Sequence, residues 1–253
     1  MNRALRREYL AALGLETWVV RNRREALGGT VRATPAPSAA EADAAPAPAA
    51  VAPLNAPLNA PREAPREAAY DLRQLRDRVA ACTRCGLAAT RTQTVFGVGN
   101  ARAEWLIVGE APGAEEDRQG EPFVGRAGQL LNAMLRAIGL AREQVFIANV
   151  LKCRPPHNRD PLASEIAECL PFLERQIALL KPKIILSVGL IAAQNLLQTH
   201  STLGRLRQKA HVFGASQVPL VVTYHPAYLL RTPADKRKAW DDLKFAREVC
   251  ARG

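Results

Sequence analysis

The sequence predicts an α/β fold: a three-layer α/β/α sandwich with a four-stranded, mainly parallel central sheet, preceded by a disordered linker. Three observations carry this. Four short apolar runs, at 104–109, 145–150, 183–188 and 219–224, each fit a buried strand. Stretches with apolar residues at helical spacing follow them, and strands alternating with helices build a parallel sheet covered on both faces. A break in composition near residue 70 separates this pattern from a stretch dominated by proline and alanine.

The elements follow in order. Leu5, Tyr9, Ala12 and Leu13 recur at helical spacing, Trp18, Val19 and Val20 come next, and Gly28-Gly29 supplies a stop. Residues 1–32 therefore predict an amphipathic helix that is too small to bury itself: either a tethered docking segment for a protein partner or for DNA, or a stretch that packs back on the main domain or stays disordered. Residues 33–69 hold eight of the 18 prolines and carry Ala-Pro-Leu-Asn twice (52–59) and Ala-Pro-Arg-Glu twice (60–67). Proline fixes φ and removes a backbone donor, and the few leucines cannot form a core, so this segment reads as a semi-extended spacer. The globular domain is placed at 70–253. It opens with a helix at Asp71–Ala81 and a strand at Glu104–Gly109. A helix at Gly128–Leu140 follows, with Leu130, Leu131, Met134, Leu135 and Ile138 on one face. Next come a strand at Val145–Val150, a helix at Leu162–Leu180 capped by Ser164, a strand at Lys183–Val188 and a helix at Leu190–Leu197. A strand at Pro219–Tyr224 and a helix at Ala234–Ala251 close the chain.

Composition narrows the class. A hydrophobic content of 48% over 253 residues supports a sizeable core and excludes wholesale disorder. No apolar run approaches the length of a membrane span. Arg3, Arg6, Arg7 and Glu8 break any signal-peptide core, so a cytoplasmic chain is expected, without membrane association and without structural disulfides. The net charge is +11, and +9 of it belongs to residues 70–253. That excess points to an anionic partner, nucleic acid before membrane.

In open parallel sheets, ligands bind at the carboxyl ends of the strands, and three strand ends carry unusual residues. The first strand runs into Gly109-Glu-Ala-Pro-Gly113, a tight turn whose backbone can approach a ligand, and then into Pro122-Phe-Val-Gly-Arg-Ala-Gly128. No Gly-Lys-Ser/Thr follows, and Gly97-Val98-Gly99 lacks a third glycine, so neither a phosphate-binding loop nor a dinucleotide fingerprint is present. The second strand ends in Asn149-Val-Leu-Lys-Cys-Arg-Pro-Pro156, whose asparagine offers a donor and an acceptor for a base edge. The fourth ends in His225-Pro-Ala-Tyr-Leu-Leu-Arg231, where a proline stiffens the histidine.

Five cysteines complete the pattern. Cys82-Thr-Arg-Cys85 is a chelating pair, Cys153 and Cys169 stand alone, and Cys250 lies beyond the set. Zinc ribbons use two close pairs, whereas a 4Fe–4S cluster accepts dispersed thiolates, so the spacing favours iron–sulfur over zinc without deciding between them.

Together these motifs resemble those of the iron–sulfur uracil-DNA glycosylases, in particular the family-four, thermostable-type bacterial and archaeal enzymes. The resemblance spans roughly residues 70–250, with the motifs in order. It implies an enzyme of base excision repair that flips uracil out of single- or double-stranded DNA and hydrolyses its N-glycosidic bond. It also implies a monomer holding a 4Fe–4S cluster on Cys82, Cys85, Cys153 and Cys169. By the same resemblance, Phe123 stacks on the base, and Asn149 reads its N3–H and O4. His225 contacts O2, Glu110 and the Ala111 backbone sit beside the sugar, and Glu116 crowds the C5 position. Leu229, Leu230 and Arg231 meet the DNA. Two other readings stay open: a superfamily enzyme for another deaminated base, and a cluster-containing DNA-binding module without catalysis.

Overall fold

The computed structural model describes residues 71–214 and 217–252, so the docking segment expected at 1–32 and the spacer expected at 33–69 lie outside the described residues. Helix α1 (Leu72–Ala80) begins where its capping residues dictate. The Asp71 carboxylate accepts the Gln74 amide at 2.8 Å, and the Gln74 side chain accepts the Asp71 amide at 3.0 Å.

The sheet has six strands, in the order β1-β3-β2-β4-β6-β5. Its centre is the expected parallel set: β2 (Trp105–Gly109), β3 (Phe146–Asn149), β4 (Ile184–Val188) and β6 (Val218–Thr223). The expectation of four strands is corrected by two antiparallel edges, β1 (Val98–Gly99) on β3 and β5 (His211–Phe213) on β6. With two and three residues respectively, neither edge is long enough to show an alternating pattern in the sequence.

Side chains of the central strands alternate between two cores, which gives the three layers. Leu106, Val108, Ala148, Ile185, Leu220 and Val222 face α1, α4 (Ala163–Leu180) and α5 (Leu190–Leu197). Trp105, Ile107, Ile147, Leu186 and Val221 face α3 (Arg126–Ala137), α7 (Pro226–Arg231) and α8 (Lys236–Arg252). Among the described residues no helix is long and apolar enough to cross a membrane.

Several boundaries move for local reasons. Ser164 does not cap α4. Leu162 is the N-cap, and its amide donates to the Glu165 carboxylate at 2.9 Å, so the acidic residue of the first turn does the capping. The last helix starts at Lys236 because Pro233–Asp235 forms a separate 3₁₀ turn. Short α2 (Ala114–Gln119) and α6 (Leu203–Leu206) had no apolar stripe long enough to read. Helix α2 is tied down instead by buried Asp117, whose carboxylate accepts the Thr92 amide at 3.0 and 3.1 Å.

Candidate active site

The parallel register sets Gly109, the last residue of β2, beside Asn149, the last residue of β3. Asn149 is only 2% exposed, and its Oδ1 has no hydrogen-bond partner. A buried polar atom left unpaired costs about 1–3 kcal/mol, so such an orphan marks a place where a ligand completes the bonding. Gly109 keeps that place open. A Cβ there would run into Asn149 Oδ1 and come within 2.7 Å of the Phe123 ring.

Phe123 forms the wall opposite. Its φ of +55° lies in the left-handed region, which is costly for an aromatic residue and persists only when neighbours enforce it. Two charged side chains do so. The Arg142 guanidinium donates to the carbonyls of Pro122 (2.6 Å) and Phe123 (3.3 Å) and to Asn132 Oδ1 (3.1 Å). The Glu116 carboxylate accepts the amides of Val124 (3.0 Å) and Gly125 (3.2 Å). Gly128, in the first turn of α3, lies against the Phe123 carbonyl so closely that any Cβ would collide with it. The carboxylate that the resemblance set beside the base is thus also a fastening of the stacking loop.

His225 follows β6 and caps α7. Its Nδ1 accepts the Ala227 amide at 3.1 Å, which leaves the ring proton on Nε2. Burial first, and the Arg231 charge second, push its pKa down to about 4, so the ring is neutral near pH 7. The imidazole lies 5.7 Å from the Phe123 ring, centroid to centroid, tilted by 34°. Glu110, the residue after β2, has its carboxyl raised to about 7, by burial and then by Asp160. Ala111 follows it, half-buried against the core. The carbonyls of Gly109 and Glu110 accept the amides of Val150 and Leu151 at 2.9 and 3.0 Å, which locks the two strand ends together.

The structure therefore gathers Glu110, Ala111, Glu116, Phe123, Asn149 and His225 at one edge of the sheet. Leu229 is a correction. It is 1% exposed and packs in the core with α3 and α8, so it cannot reach DNA. Leu230 and Arg231 remain on the surface.

On the other side of β3 the four cysteines line one cavity, with Arg91, Lys152, Glu168 and Phe172 among its walls. Cys153 and Cys169 are buried, and Cys82 and Cys85 are half-buried. Arg91 donates to Cys153 Sγ at 3.1 Å, and the Lys152 amide donates to Cys169 Sγ at 3.2 Å. Burial raises the Cys169 thiol to about 11, against the pull of Lys152. Among the described residues no group of three or more His, Cys, Asp or Glu side chains converges on a single-ion site. Cys250 packs at the opposite core.

Three participants escaped the sequence. Arg142, the first residue of the 3₁₀ turn Arg142–Gln144, and Asp160, in the loop before α4, are distant in sequence from the residues they act on, and nothing local marks them. Lys152 left a faint signal, a lone cation between Leu151 and Cys153 directly after a buried strand.

A buried amide and a neutral imidazole at strand ends, facing a buried aromatic ring held in the loop before α3, define a nucleobase-recognising protein of the α/β/α class. The uracil DNA glycosylase superfamily model matches residues 96–244, and the chain belongs to that superfamily. It is 43% identical over 180 residues to the type-4 uracil-DNA glycosylase of Archaeoglobus fulgidus, covering 69% of this chain and 90% of that protein. Its identity to the type-4 uracil-DNA glycosylase of Pyrobaculum aerophilum is 44% over 179 residues, 68% of this chain and 91% of that protein. For the type-4 enzyme of Thermotoga maritima it is 41% over 175 residues, with coverage of 68% and 90%.

Proposed function

We propose that the chain excises uracil from DNA in repair, hydrolysing the N-glycosidic bond and leaving an abasic site. The observation that carries this is the orphaned, buried Oδ1 of Asn149 across from the Phe123 ring. Oδ1 accepts uracil N3–H, and the amide NH₂ donates to O4. Phe123 stacks on the extruded base. When C1′–N1 breaks, its electron pair passes to the base and spreads onto O2, where the Nε2–H of neutral His225 donates to the developing charge. Water adds to C1′, and ionised Glu110 takes its proton. Leu230 and Arg231 meet the DNA beside the pocket.

Cys82, Cys85, Cys153 and Cys169 fit a 4Fe–4S cluster as four thiols around one cavity, two of them already accepting hydrogen bonds. Bound to these four thiolates, a cluster would pin the segment after α1 and the loop after β3 to α4. Uracil hydrolysis moves no electrons, so its role is structural. About four irons per chain are expected, together with a visible thiolate-to-iron absorbance. Cys153→Ser should abolish both and Cys250→Ser neither, whereas stoichiometric zinc in anaerobically prepared protein would replace the cluster with a different centre. Residues 1–32 and 33–69 act as a tethered docking segment and its spacer, outside a catalytic unit at 70–253.

The direct test is a labelled oligonucleotide with one uracil, incubated with protein and then cleaved at the abasic site by alkali. Single- and double-stranded uracil should be cut and cytosine, thymine and hypoxanthine spared. A protein that binds such DNA without cutting it would be a binding module instead.

A further inference from the structure

Lys152 has no part in the chemistry above, yet among the described residues it is the one buried lysine, at 1% exposed. Burying an ammonium is expensive unless every donor finds good partners, and an apolar side chain of similar volume is often as stable or more so. Its partners here are specific. Nζ donates to the Asn149 carbonyl at 2.8 Å and to Gln176 Oε1 at 2.5 Å. Gln176, fully buried on α4, is itself anchored, its Nε2 donating to the Phe96 carbonyl at 2.9 Å. The backbone amide of the same lysine donates to Cys169 Sγ at 3.2 Å. One residue thus touches the residue that reads the base, the helix that carries a cysteine, and that cysteine's sulfur.

We propose that Lys152 is a positioning residue. Its ammonium ties the main chain of Asn149 to Gln176 on α4 and so sets the direction in which the Asn149 amide enters the base pocket. The ladder holds this turn from the β2 side, where the Gly109 and Glu110 carbonyls accept the Val150 and Leu151 amides, and Nζ adds the bond that holds the Asn149 carbonyl. The four-cysteine cavity is thereby coupled to base recognition through three bonds of one side chain and its backbone. The inference rests on Asn149 reading uracil, and the experiment separates the two.

Full-length protein with its cluster, Lys152→Met and Gln176→Met are compared by three measurements: kcat/KM on a uracil oligonucleotide, inhibition by free uracil, and iron per chain. Methionine keeps the volume and removes the polar end. A small displacement of a recognition group costs up to about a hundredfold. We therefore expect kcat/KM per iron to fall about 10- to 100-fold in Lys152→Met and about threefold or more in Gln176→Met. The inhibition constant for uracil should rise in parallel, while iron per chain holds. A merely structural lysine predicts the opposite: iron and thermal stability fall, but the remaining iron-loaded molecules bind uracil as the wild type does. That outcome overturns the proposal. Should Lys152→Met not accumulate, Gln176→Met decides alone, and unchanged uracil inhibition there overturns it equally. Wild-type protein that cuts uracil DNA beside unaffected variants sinks only this inference, whereas wild-type protein that neither cuts nor is inhibited by uracil sinks the function as well.

Discussion

The proposed base pocket has two halves built on different principles. On one side Gly109, Glu110, Asn149 and His225 sit at or just beyond the ends of β2, β3 and β6: the parallel ladder pairs Gly109 with Asn149, the Glu110 carbonyl accepts the Leu151 amide, and His225 caps α7. On the other side Phe123 sits in a loop, at a φ that an aromatic residue avoids, and is held by Arg142, Glu116 and the bare backbone of Gly128. The sheet supplies position at no local strain. The loop must have its position imposed by charges from outside, at a cost of about 1–3 kcal/mol for the strained residue. Hydrogen-bond recognition tolerates little displacement, whereas a stacking ring tolerates sliding in its plane. The stiffer scaffold therefore carries the polar groups.

If that division is right, the strand-end half should fail more sharply than the loop half. Asn149→Asp replaces the NH₂ donor with a second acceptor, so the O4 contact is lost and a charge enters a buried site. Each buried mismatch costs about 1–3 kcal/mol, or roughly ten- to more than hundredfold. Uracil excision should drop steeply and the gap between uracil and cytosine should narrow. An Asn149→Asp protein with normal rate and selectivity would move the pocket elsewhere. His225→Asn separates two duties of the histidine, since asparagine can still accept the Ala227 amide at the N-cap but cannot reach as Nε2–H does. The rate should fall by about 2–4 kcal/mol of barrier, the size of a lost oxyanion donor, with the preference for uracil intact and little change in melting temperature.

The loop half should give way more gently. Arg142→Met leaves the Pro122 and Phe123 carbonyls without their donor, and Phe123 can then relax towards ordinary φ. A loss of about tenfold in kcat/KM is expected, carried mainly by KM, with uracil still preferred over cytosine. A loss as deep as that of Asn149→Asp, or one confined to kcat, would mean that the loop shapes the transition state and that the two halves are not distinct.

The same division explains what could be read from the sequence. Asn149 and His225 were legible because each ends an apolar run, and the sheet's topology assigns meaning to that place. The Cys82–Cys85 pair and its distant partners were legible as a thiol set because chemistry limits what cysteines at that spacing can do. Phe123 was visible only through resemblance, since a single aromatic between turn residues is usually core. Arg142 was invisible: it reaches the 122–123 carbonyls across the fold, and its neighbours Ala141 and Glu143 say nothing of that. Leu229 and Leu230 look alike in the sequence, and only the helix phase of α7 buries one and exposes the other. Edge strands β1 and β5 escaped because pairing with a finished sheet, not their own composition, makes them strands.

The smallest expected effect concerns Asp160 and tests whether charges at the pocket's rim tune the strand-end half. Glu110 has its carboxyl raised to about 7, chiefly by burial and secondly by Asp160, which is exposed and whose influence is accordingly modest. If ionised Glu110 accepts the proton of the attacking water, kcat/KM must rise with pH through about 7 and level off above it. His225 cannot be the source of that limb, because its pKa is depressed to about 4 and it stays neutral throughout. Asp160→Asn removes the repulsion but not the burial, so the limb should move towards acid without returning to the ordinary carboxyl value of 4.5. At about pH 6 the variant should outpace the wild type, and at about pH 9 the two should coincide. Stability gives an independent check with its own sign. A carboxyl whose folded pKa lies above its unfolded one favours folding while protonated, and that contribution is lost as pH rises from 4.5 through about 7. Glu110→Gln, inactive by this account, should lose less stability than the wild type over that window. A pH profile of the same shape and midpoint in Asp160→Asn would remove Asp160 from the site, and a flat wild-type profile across neutrality would remove Glu110 as the proton acceptor.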